Sequence, residues 1–161
     1  MPLQTDAPVA PPARTAPAPE GHQPAGALAI VLAWLASLAW AGTIYWFSSR
    51  TGPQIEEMNI FELSDKVAHF IAFFAGGPVI VCALRWSTRW SWIRIMWIAA
   101  CILALYGAAD EYHQTFTANR SGADVWDGLA DALGGTAGTL ATVFVYAQFE
   151  RRFRSSRRAA P

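Results

Sequence analysis

Three short polar segments interrupt a largely apolar chain, and each carries side chains that could hold an ion, move a proton or grip a polar ligand. The first is "SDKVAHF" at 64–70, where Asp65 and His69 stand four residues apart and so share one helical face. The second is "DEYHQTF" at 110–116. If the preceding apolar helix continues through it, Asp110 lies on one face with His113 and Gln114, and Glu111 turns about 100° away. On that reading a solvated boundary suffices for Glu111 and Tyr112. The third is "NRSGADVWDGLADALGGTAG" at 119–138, in which Asp124, Asp127 and Asp131 fall at i, i+3 and i+7 and align three carboxylates on one stripe.

Carboxylates beside imidazoles can serve as general acid and base, or hold a hard divalent cation through oxygen. Arginine can clamp a carboxylate with two parallel hydrogen bonds, which makes Arg120 the expected anchor for an acid. Asp131 should lie two turns into its helix, ~10 Å below the start. An acid near the centre of a membrane helix costs ~2.5–3.5 kcal/mol on insertion scales, so Asp131 needs a partner. The cationic or potentially cationic groups at similar depth are Arg120, Lys66 and His69. Local roles also exist: Ser64 as an N-cap, Asp65 stabilising the helix N-terminus through its dipole, His69 as a packed histidine. The candidate ligand-pocket set is therefore Asp65, Lys66, His69, Asp110, Glu111, Gln114, Arg120, Asp127 and Asp131. No compact metal motif such as His-Glu-x-x-His is present, and the sequence predicts neither a metal nor a cofactor.

The elements that must position these groups follow from hydropathy. The chain has 161 residues, 53% of them hydrophobic and eight of them Trp, which points to a membrane protein. Apolar stretches at 27–47, 67–86, 92–109 and 124–147 each approach the ~20 residues a helix needs to cross hydrocarbon. The expected fold is all-α: a four-helix transmembrane bundle over 27–150, with a disordered Pro/Ala-rich N-terminal tail over 1–26 and a basic tail over 151–161. The spacing Gly134-x-x-x-Gly138 makes one side of the last helix small enough for close packing. Tyr45, Trp46, Trp86, Trp90, Trp92 and Tyr146 suit interfacial belts. Cys82 and Cys101 read as buried free thiols.

Arg85, Arg89 and Arg94 flank one connection and "RRFRSSRR" follows the last span, so both termini are expected on the cytoplasmic side. Residues 48–66 and 110–123 then fall outside, and the acids Glu56, Glu57, Glu62, Asp65, Asp110, Glu111 and Asp124 collect there. The twelve basic and twelve acidic residues balance, so no nucleic-acid partner is expected.

Together the three polar segments resemble the VanZ-like family of small bacterial integral membrane proteins. The resemblance rests on Asp65, Lys66, His69 and Phe70; then Asp110, Glu111, Gln114 and Phe116; then Arg120, Asp127, Asp131, Gly134 and Gly138. Two departures are plain: Asp131 stands where that family usually has Asn, and Asn119 where Gly commonly precedes the Arg. The resemblance implies a cell-envelope membrane protein, and the family's namesake is associated with low-level resistance to the glycopeptide teicoplanin.

Three function classes fit these residues. One is a non-enzymatic protein whose outward-facing pocket binds a polar ligand, such as a lipid head group, an envelope precursor or a glycopeptide; membrane lipids are then the expected partners. A second is an intramembrane hydrolase or phosphatase acting on a lipid-linked substrate. The third is a small proton-coupled transporter built around Asp131. With no recognisable nucleophile arrangement, the first is preferred.

Overall fold

The computed structural model describes residues 24–58 and 64–159, with side chains as far as Arg152. Residues 1–23 of the expected tail and Glu62 of the acidic set lie outside the described residues. Five helices follow one another: α1 Ala27–Ser48, α2 Gly52–Met58, α3 Asp65–Ser87, α4 Trp92–Gln114 and α5 Val125–Ala159. All except α2 are long and apolar enough to cross a membrane, the last over Val125–Arg152. The architecture is the expected all-α bundle of four spans.

The helix ends differ from those read from hydropathy, and the differences place the site. Helix α4 runs past 109 to Gln114, so Asp110, Glu111 and Gln114 are helical. Helix α5 continues through the basic segment to Ala159, since no proline or glycine interrupts residues 139–159. Helix α2 was not expected. Its signal is Thr51-Gly-Pro-Gln54: a threonine before the first turn, a proline within it, and a glutamine whose Oε1 accepts the Thr51 N–H at 3.0 Å. Ser64 occupies the N-cap position of α3, but its hydroxyl makes no capping bond; its carbonyl accepts from Val67 and Ala68 at 3.0 Å each.

Helices α3 and α5 run parallel and form the largest interface of the bundle. A Cβ on Gly134 would collide with the Phe70 carbonyl, one on Gly138 with the Phe74 carbonyl, and one on Gly77 with the Gly138 backbone. Only glycine permits this approach. Pro78 inside α3 supplies no N–H for the Phe74 carbonyl, and the Gly138 Cα–H faces that oxygen instead. On α4, Gly135 of α5 packs against Leu103 and Gly107 against Asp131. Helix α1 lies antiparallel to α3, tied to it by Trp40 Nε1 donating to the Ala72 carbonyl at 2.9 Å.

The apolar core, built on Val81, Leu84, Ile95, Ala99 and Leu103, fills the end of the bundle away from α2. Outward faces carry Leu28, Leu38, Leu105 and Phe144, all well exposed. In water so much exposed apolar surface would be an aggregation hazard; against lipid tails it has no such cost. This is a multi-pass membrane protein.

Candidate functional site

At the end of the bundle capped by α2, α3 contributes Asp65, Lys66 and His69, α4 contributes Asp110, Glu111 and Gln114, and α5 contributes Asp127 and Asp131. The loop between α4 and α5 adds Arg120. That loop turns at Asn119, whose φ of 57° is left-handed. Glycine or asparagine adopts this conformation more readily than other residues, so Asn119 suits the turn.

Asp131 has no exposed surface, and its Oδ1 lies 3.0 Å from His69 Nδ1. The same ring nitrogen is 3.8 Å from Glu111 Oε1, and Nε2 faces Asp65 at 3.9 Å. Of the three groups expected to serve Asp131, His69 is the one that does. Lys66 instead bonds Asp127 at 3.0 Å and Asp124 at 3.4 Å. Asp124 caps α5 through Oδ1, which accepts the Trp126 N–H at 2.8 Å. That backbone bond, with Lys66 adding to it, holds the Asp124 carboxyl below the usual aspartate range.

Arg120 corrects the sequence reading. Among the described residues it makes no ion pair; its Nε and Nη2 both donate to Gln114 Oε1, at 3.1 and 2.7 Å. Gln114 Nε2 in turn donates to Asp110 Oδ2 at 2.9 Å. The amide stands one helical turn beyond Asp110, where it can accept from the guanidinium and donate to the carboxylate. Arginine and acid are thus joined through it.

Glu111 is the second correction: it does not sit at a solvated boundary but is 6% exposed, with Oε2 accepting the Asp124 N–H at 2.9 Å. His113 turns the other way, 3.1 Å from Ser49 Oγ and in tilted ring contact with Tyr45 of α1. The contact of Gly107 with Asp131 sets the rotation of α4, and Glu111, four residues on, comes round to α5 with it. Tyr112 is exposed, as expected.

Beside these groups lies a cavity of about 550 Å³. Its lining mixes polar side chains, among them Asp65, His69, Asp110, Gln114 and Arg120, with the apolar Ile44, Phe47, Ile55, Met58, Ala72 and Phe73. Lys66, Glu111, Asp127 and Asp131 do not reach it and stand behind His69 and Asp110. The apolar part of the lining, partly supplied by α2, was missed from sequence, as was the aromatic group in which Phe73 packs against Trp40 and Tyr106. Gly107 was missed too; its signal is a glycine one turn before an acid in an apolar helix.

The order and spacing of these groups along three helices agree with what comparison shows: the VanZ/LLP1 family model matches residues 26–146. The chain belongs to the VanZ/LLP1 family. The match takes in α1, α3 and α4, α5 as far as residue 146, and every polar residue of this VanZ/LLP1 site. No curated protein and no solved structure matches the chain.

Proposed function

We propose that this VanZ/LLP1 protein resides in the bacterial cytoplasmic membrane with both termini on the cytoplasmic side, and that its cavity, opening outward, holds the polar head group of an amphiphile such as a lipid or lipid-linked envelope precursor. The observation that carries this reading is the mixed lining of the cavity, ionic and amide groups together with apolar side chains around one space. An amphiphile presents both kinds of surface. Arg120 spends Nε and Nη2 on Gln114, so Nη1 is the donor it can turn to a head group. Orientation is supported by Arg85, Arg89 and Arg94 at the far end, near the basic end of α5.

Lipid and metabolite identification on gently purified protein tests this, with Arg120→Ala beside the wild type. One class of polar-headed amphiphile should be enriched with the wild type and depleted in the variant. Identical lipid content in both would argue against the reading.

A further inference from the structure

His69, Asp110, Glu111 and Asp131 come from three helices, are all buried, and each offers one ligand atom within 4.8 Å of the others'. We infer that this cluster is a binding site for one divalent first-row metal cation of the Mn²⁺ or Zn²⁺ type. No activity or ligand of the cavity is needed for it, so it stands or falls apart from the head-group reading.

The decisive observation is a pair of orphaned oxygens. Glu111 Oε1 and Asp131 Oδ2 are buried without a hydrogen-bond partner among the described residues. The side chains bearing them are 6% and 0% exposed. A buried acceptor left unpaired is costly, more so when it carries charge, and three carboxylates around one imidazole have too few donors to satisfy them. A doubly charged cation would offset the surplus negative charge and take up both oxygens.

The remaining contacts resemble those that orient metal ligands. Glu111 keeps its other oxygen on the Asp124 N–H, Asp110 keeps one on Gln114, and His69 turns Nδ1 into the cluster while Nε2 faces Asp65. A ligating imidazole is commonly oriented by a carboxylate at its other nitrogen. Metal–ligand bonds of about 2.0–2.2 Å place opposite donors roughly 4 Å apart, so donors within 4.8 Å of one another need to close by less than about 1 Å. One imidazole with carboxylates suits Mn²⁺ or Zn²⁺; Ca²⁺ favours six to eight oxygens, and soft ions want thiolates, which Cys82 and Cys101 do not bring here. The ligands are spread over α3, α4 and α5, which is why no contiguous motif announces them.

Chelator-stripped wild-type protein in detergent, titrated with Mn²⁺ and followed by the electron paramagnetic resonance of the free ion, should bind one equivalent per chain, displaced by Zn²⁺. Asp131→Asn and Glu111→Gln should each weaken binding at least about tenfold, whereas Asp124→Asn, which leaves the backbone N–H to Glu111 in place, should not. Folded wild-type protein that binds neither ion overturns the inference by itself. So does Mn²⁺ affinity unchanged in whichever of the two weakening variants folds.

Discussion

His69 Nδ1 stands 3.0 Å from Asp131 Oδ1 inside the bundle, joining α3 to α5 at a point where the acid has no exposed surface. The two residues are 62 apart in sequence, and their contact lies beside the glycine-lined crossing of the same helices. Polar pairing and close packing thus hold one interface.

Breaking that pair from one side should be worse than removing it altogether. In metal-free protein, His69→Leu leaves Asp131 buried opposite a hydrocarbon and should cost roughly 3–5 kcal/mol. The double variant His69→Leu/Asp131→Leu should recover much of that loss. Thermal unfolding in detergent of both singles and the double gives the coupling, and additive losses would show that the contact carries no pairing energy.

Gly138→Ala should destabilise by about 1–3 kcal/mol, because its Cβ enters the space of the Phe74 carbonyl on a backbone that cannot swing aside. Gly42→Ala in α1 meets nothing within 4 Å and should be neutral or slightly stabilising. Comparing the two melting temperatures separates the packing effect from the general preference of helices for alanine.

The Asp124 carboxyl is held below its ordinary pKa by the Trp126 N–H and by Lys66. Its contribution to stability is fully present above the unfolded aspartate value and is lost as pH falls through the lower folded value. Asp124→Asn retains an N-cap acceptor while removing the titration, so its acid unfolding profile should be flatter than wild type in that window. Superimposable profiles would remove Asp124 from the acid response.

For orientation, Ala118→Cys lies in the loop beside the cavity and Ser91→Cys at the other end of the bundle, in a background with Cys82 and Cys101 replaced. A membrane-impermeant maleimide applied to intact cells should label the first and spare the second. The reverse pattern would place the cavity on the cytoplasmic side.

Hydropathy alone disclosed the four spans, because membrane helices must pair their backbone groups internally and each span is therefore a local property of its own residues. The polar segments around Asp65, Asp110 and Asp131, and the glycine spacing at 134 and 138, were legible for the same reason: helical periodicity turns sequence distance into a shared face. Pairing was not legible. Whether Asp131 meets Arg120, Lys66 or His69 depends on how far each helix is rotated about its axis, and that rotation is set by contacts such as Gly107 on Asp131 and Gly134 on Phe70. The same rotations brought Glu111 inward, sent His113 to α1 and put Gln114 between Arg120 and Asp110. Sequence determined which charges enter the bundle. Tertiary packing alone decided which of them meet, since side chains from separate helices become neighbours only when backbones close to within a glycine's width.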